Sequence, residues 1–246
     1  MPDWLPYLIL AVIGFVSGTL NVIAGGGSFF TLPILIFLGL PATVANGTNR
    51  IGVLMQNAGG VWGFHRHRVL DWKWGVEVSV PALAGAALGT WAALHVSDVA
   101  FRRILAGVMV LMSIWPILSS PRDIDSTRTP KGSFIVTAGF FVVGIYGGFL
   151  QAGVGFLVLA LTSMAGLDLV RGNAVKALSV LLLTILSLAI FASNDRVNWP
   201  LGLALGAGNL SGSFLGVRLI VLKGHRWVRA VVTIAIIVFA IRLWFF

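Results

Sequence analysis

Two stretches of this chain pair a glycine-rich break with an amide and a cation further on. The first is Gly25-Gly26-Gly27-Ser28-Phe29-Phe30, followed by Asn46-Gly47-Thr48-Asn49-Arg50. The second is Gln151-Ala152-Gly153-Val154-Gly155-Phe156, followed by Asn173-Ala174-Val175-Lys176. A helix starting at such a break aims free N–H groups and the positive end of its dipole outward, which suits an anion. Glycine lets a ligand approach the backbone closely. It also lets helices cross closely, and both readings stand at this point. Arg can hold two anionic oxygens in a fork, whereas Lys acts as a compact point charge; either can instead snorkel to an interface. The candidate substrate-binding residues are Gly26, Gly27, Ser28, Asn46, Thr48, Asn49, Arg50, Gln151, Gly153, Gly155, Asn173 and Lys176.

The elements that must position them are membrane helices. The 246 residues are 58% hydrophobic and only 10% charged, with 30 Gly, 9 Trp and no Cys. A soluble domain carries about 25% charged residues. A disordered chain is excluded by the same composition, and a disulfide scaffold or thiol carrier by the missing Cys. Apolar segments run over about 5–23, 28–40, 44–64, 74–94, 101–119, 133–151, 156–165, 172–193, 200–221 and 227–246. No basic n-region or cleavage site precedes the first, so it is expected to remain as a span. Segment 28–40 has 13 residues, ~20 Å of helix at 1.5 Å per residue. The hydrocarbon core is ~30 Å thick. The breaks are therefore expected inside the membrane, where irregular backbone survives only if buried in protein or lining a cavity.

The second half repeats the first. A shift of 127 residues aligns 25–119 with 152–246 and gives 17 identities in 95 pairs. Among them Gly26 meets Gly153, Phe29 meets Phe156, Asn46 meets Asn173 and Trp72 meets Trp199. The pair Gly85/Gly89 meets Gly212/Gly216. Each half holds one Gly-broken hairpin and three full spans, an odd number of crossings however the hairpin lies. Inverted repeats follow. The expected units are 1–119, a cytoplasmic linker 120–132, and 133–246. The fold is thus an all-α integral membrane protein of 8–10 helical segments with inverted-topology repeats. In this arrangement eleven Lys and Arg residues fall on the cytoplasmic side and four outside, with Arg50 and Lys176 in the membrane. That satisfies the positive-inside bias and explains the net charge of +9 without nucleic acid.

The remaining polar and small residues narrow the function. No carboxylate sits securely at mid-membrane and all four His lie in loop positions, so no proton relay is visible. No phosphate-binding GxxxxGK[ST] loop exists. No nucleophile–base pair or metal cluster points to an enzyme, and no cofactor is expected. The Gly85/Gly89 and Gly212/Gly216 faces suit close helix packing, inside the chain or across a homodimer. Gln56, Asn57, Asn209, Ser211 and Ser213 fit either interhelical glue or a pathway lining. Trp62, Trp72, Trp74, Trp199 and Trp227 fit interfacial belts.

The run Gly25 to Pro33, then Leu38-Gly39-Leu40-Pro41 and Ala45-Asn46-Gly47-Thr48, resembles the sulfite exporter TauE/SafE family. Gly166-Leu167-Asp168 and Arg171-Gly172-Asn173-Ala174 are similar to that family's second module. The resemblance implies a multi-pass inner (plasma) membrane transporter of sulfite, sulfonates or related organosulfur anions. Here the second copy departs from the pattern, with Ala174-Val175 in place of Gly-Thr and then Lys176. The expected function is export of a small sulfur-containing anion, potential- or proton-linked, by alternating access. An anion channel, or a transporter of another small anion, is the alternative. The expected partners are that anion and the lipid bilayer.

Overall fold

The computed structural model describes residues 2–24, 26–118 and 133–223. Gly25, the linker 120–132 and the last span, 227–246 with Trp227, lie outside the described residues. Among the described residues there are nine helices and no strand. They are α1 (Leu5–Ala24), α2 (Ser28–Phe37), α3 (Ala42–Arg66), α4 (Trp72–His95), α5 (Asp98–Leu118), α6 (Phe134–Phe149), α7 (Val154–Met164), α8 (Leu169–Ser193) and α9 (Trp199–Lys223). Leu5–Ile23, Trp72–His95, Leu169–Ser193 and Trp199–Val221 are each long and apolar enough to cross a membrane. Large apolar side chains such as Val12, Val80, Leu88, Leu111 and Leu203 lie exposed on the outside, as a lipid-facing surface requires.

Capping side chains explain where several helices begin. Asp71 accepts from the Trp74 N–H, Ser133 from Val136, and Asp168 from Val170 and Arg171. Each satisfies donors that the first turn of a helix leaves free. The start of α3 borrows its cap. Asp98, at the start of α5, accepts from both the N–H and the hydroxyl of Thr43 at 3.1 Å. The beginnings of α3 and α5 therefore lie together.

The turns repeat through the chain. Gly39 after α2 and Gly166 after α7 both have left-handed φ, +95° and +92°. There Leu40 donates to Leu35 O and Leu167 to Thr162 O, the six-to-one bond of a Schellman turn. The same turn closes α3 at Arg68 (φ 58°) and α8 at Asp195 (φ 54°). Both pairs are separated by 127 residues.

Packing exchanges partners in the same way. Helix α1 packs chiefly on α9 and α4 on α6; α3 packs on α9, α8 on α4, and α3 on α8. The seams of the first two pairs are backbone against backbone. A Cβ on Gly85 would lie 2.1 Å from Phe141 O, and one on Gly89 1.9 Å from Ile145 O. On the other seam, a Cβ on Gly212 would lie 2.0 Å from Phe15 O and one on Gly216 2.8 Å from Thr19 O. These small-residue faces are internal seams. Trp62, Trp72 and Trp199 are exposed as an interfacial belt requires, but Trp74 is not. It is buried, edge-on to Phe140 at 6.3 Å, because its position on α4 faces α6.

The two short helices turn back on their predecessors. Ten residues of α2 and eleven of α7 reach only about 15–17 Å at 1.5 Å per residue. Asp3, Pro6 and Tyr7 near the start of α1 share one surface cleft with Leu38 at the end of α2 and with residues 197–201. Gly139 lies against Leu161 and Gly147 against Val154, so α6 and α7 are antiparallel.

The seams make a stability contrast measurable. Gly85→Ala forces a methyl onto a carbonyl and should cost about 1–3 kcal/mol. Gly107 in α5 has nothing among the described residues within 4 Å of an added Cβ, so Gly107→Ala should be neutral or gain up to ~1 kcal/mol. Thermal unfolding of the detergent-solubilised variants reads the difference. Equal midpoints would show that the α4–α6 seam has slack.

Candidate functional site

The breaks place two helix N-termini in the middle of the protein. Helix α2 starts from Gly27 and α7 from Gly153, and neither N-cap offers a side chain to the first turn. This contrasts with α4, α6 and α8, each capped by a side-chain oxygen. Gly27 is tightly held, since a Cβ there would lie 2.3 Å from Ser17 O. Gly153 must be glycine on two counts. Its φ is +75°, and a Cβ would fall 2.3 Å from the Phe29 ring. Phe29 in turn stacks on Phe156, with centroids 6.5 Å apart and planes at 20°. The first turns of α2 and α7 thus meet face to face.

A small cavity lies between them. Its polar wall is Asn21 of α1, Ser28 of α2, Gln56 and Asn57 of α3, Gln151 of the second break and Lys176 of α8. Val53, Val154, Gly155 and Val180 complete it. Val53 and Val180, like Ser28 and Gly155, are 127 residues apart, so corresponding positions of the two halves face one space. That space is about 10 Å³, room for about one water molecule. Asn21 donates to Gln56 Oε1 at 3.1 Å, and Asn57 donates to Val53 O at 2.7 Å. Gln151 donates from Nε2 to Thr184 Oγ1, and its own Oε1 is buried without a partner.

The buried cations hold the broken helices from behind. Arg50 is fully buried and donates to Gly147 O (3.3 Å) and Gly148 O (2.5 Å) in the last turn of α6. Asn46 donates to Phe149 O at 2.8 Å. Leu150 and Gln151 N–H groups take Tyr146 O. Every carbonyl of that last turn is therefore paired, as a helix end away from water requires. The Arg50 guanidinium also sits 4.7 Å from the Phe191 ring centroid, a cation–π contact. Lys176 does the reciprocal work. It donates to Asn21 O (2.8 Å) and Val22 O (2.9 Å) in the last turn of α1, and to Asn173 Oδ1 (2.5 Å). A cation at a helix C-terminus is also favoured by the dipole. Each half of the chain thus supplies the cation for the broken helix of the other.

The sequence-predicted residues divide accordingly. Ser28, Gln151, Gly155 and Lys176 line the cavity. Gly26, Gly27 and Gly153 form the break backbone and are buried. The others point elsewhere. Arg50 and Asn46 are turned onto the end of α6. Thr48 accepts from the Asn198 N–H at 2.8 Å, holding the loop before α9. Asn49 accepts from Thr31. Asn173 donates to Leu169 O of its own helix and accepts from Lys176. Snorkelling is excluded for Arg50 and Lys176, which are 0% and 3% exposed. Asn21 was missed from the predicted set, although an amide near the end of an apolar span was the signal for it.

The chain has clear relatives. The model of the family described as sulfite exporter TauE/SafE matches residues 10–243. The chain is 28% identical over 232 residues to a probable membrane transporter protein of Haemophilus influenzae, covering 92% of this chain and 89% of that one. It is 26% identical over 239 residues to the probable membrane transporter protein ORF9 of a Sinorhizobium species, covering 95% and 90%. With the probable membrane transporter protein YfcA of Escherichia coli K12 it shares 28% over 246 residues, covering 96% and 90%. No solved structure matches it.

The reciprocal clamp predicts a stability loss from either side. Lys176→Met leaves Asn21 O and Val22 O without a donor, and Arg50→Met does the same to Gly147 O. Each should cost about 1–3 kcal/mol or more, read as a lower thermal midpoint in detergent. A midpoint unchanged in both variants would remove the clamp.

Proposed function

Because the chain belongs to the sulfite exporter TauE/SafE family, we propose that it exports a small sulfur-containing anion, sulfite or a sulfonate, across the inner (plasma) membrane. The protein is a multi-pass membrane transporter and not an enzyme. The observation that carries the finer reading is the meeting of two uncapped helix N-termini beside Lys176 at one buried cavity. The N–H groups of Ser28 and Gly155, whose neighbours Phe29, Phe30, Val154 and Phe156 are bonded to carbonyls of the breaks, and the charge of Lys176 would hold anionic oxygens there.

Alternating access is favoured over an open channel by the size of that cavity. Room for about one water cannot hold such an anion, so the walls must part to admit it. We read 1–119 and 133–246 as inverted repeats, with the parting between the α1–α9 pair and the α4–α6 pair, each of which joins one helix from either half. Support comes from the exchanged packing partners and from the antiparallel hairpins, which add no net crossing. Export needs no ion partner. A monovalent anion leaving a negative cytoplasm gains ~2.3 kcal/mol per 100 mV, a bias of ~50-fold.

Proteoliposomes under a potassium-diffusion potential test the function. Saturable sulfite flux that rises with an inside-negative potential and is blocked by unlabelled anion is the expected result. No sulfite or sulfonate flux from folded, inserted protein would remove the substrate assignment. The topology has its own test, because the chain has no native Cys. Phe37 and Met164 are exposed at the corresponding ends of α2 and α7. Phe37→Cys and Met164→Cys should react with an impermeant reagent from opposite sides of the membrane. Labelling from one side would refute the inversion.

A further inference from the structure

Resting on the reading of the cavity as an anion site, we infer that it selects a singly protonated oxyanion, a monoanion that still carries one O–H. Two observations point there independently. The first is charge. Among the described residues, Lys176 is the one charged residue lining the cavity, and its three donated bonds mark it as an ammonium. One positive charge on the cavity wall is balanced by one negative charge, since the other buried cation, Arg50, is turned onto the end of α6 and does not line the cavity.

The second is an acceptor with nothing to accept. Gln151 is buried at 1% exposure, lines the cavity, and has no partner for Oε1. The Thr184 hydroxyl donates to Val180 O at 2.5 Å, which leaves its oxygen to accept from Gln151 Nε2. Oε1 is thereby left as an unpaired acceptor at the cavity. The cation cannot help, since all three of its N–H bonds are already taken. An anion with only acceptor oxygens would set lone pair against lone pair at Gln151. A hydrogen-bearing oxyanion satisfies both ends. Its ionised oxygens face Ser28 and the first turns of α2 and α7, and its O–H donates to Gln151 Oε1. A site built to pair with a substrate hydroxyl rejects the analogue that lacks it. The substrate then carries its own proton, and one negative charge moves per anion.

The test uses two probes in proteoliposomes at fixed potential. Sulfite passes from monoanion to dianion as pH rises. Methanesulfonate is a monoanion at every pH used and has no O–H. Wild-type sulfite flux should fall with the monoanion fraction, and methanesulfonate flux should lie about tenfold or more below it. In Gln151→Met, monoanion flux should drop about tenfold or more while methanesulfonate flux does not drop. In Thr184→Val the amide is released and can present Nε2, so methanesulfonate flux should rise. That variant also gives the control for protein titration. Lys176 on α8, Tyr146 on α6 and Arg50 on α3 surround the break, and methanesulfonate flux flat with pH shows that none of them sets the profile. Sulfite flux that holds or rises as the dianion forms would overturn the inference, as would methanesulfonate carried equally by wild type. No saturable flux of either anion would overturn the anion reading beneath it. Saturable flux without protonation preference overturns this inference alone.

Discussion

A helix that stops inside a bilayer leaves up to four carbonyls with no water to take them. Among the described residues, α1 and α6 end in the protein interior, where the same need for donors arises, and its satisfaction organises the rest. The donors come from long side chains that cross between halves. Arg50 reaches from α3 to α6, and Lys176 from α8 to α1. Their cost in a dry interior is met because each cation bonds directly to the carbonyls and lies at the negative end of a helix dipole. With the C-termini held from behind, the N-termini of α2 and α7 remain for the cavity. The clamps also tie the halves together, since neither broken helix is complete within its own half.

Much of this was legible in the sequence, because hydrophobic length and glycine placement are strong signals. The segments 5–23, 28–40, 74–94 and 200–221 differ from α1, α2, α4 and α9 by no more than three residues at any end. Gly39 and Gly166 mark turns that only a left-handed residue makes easily. The same turn at Arg68 and Asp195 was invisible, because neither residue type announces it. Side-chain direction was the harder quantity. Spacing places Asn46, Asn49 and Arg50 on one helix face, but it does not say what that face meets. It meets α6 and α2 rather than the cavity. The repeat alignment also sets Lys176 against Asn49, not Arg50, so the shared task of the two cations was hidden by one residue of offset. Membership of the family agrees with the motifs that suggested it.

The two breaks are not copies in detail. Gly27 is right-handed at φ −59°, whereas Gln151 and Gly153 are both left-handed. The matching contacts on the α1–α9 and α4–α6 seams confirm a slip. Gly85 meets Phe141 and Gly212 meets Phe15, a separation of 126 on the first helices against 127 after the breaks. The second half therefore carries one more residue in its break.

Side chains are the compliant layer between helices, and rotamer changes are how most helix pairs slide past each other. At Gly85, Gly89, Gly144 and Gly148 that layer is absent, and the same holds at Gly208 and Gly212. Displacing either seam by one residue would drive a neighbouring Cβ onto a carbonyl oxygen. These seams leave α1 little room to slide on α9, and α4 little room to slide on α6. The contact of α3 with α8 differs from these seams in kind, because polar side chains of the centre line it and side chains can change rotamer where backbone cannot.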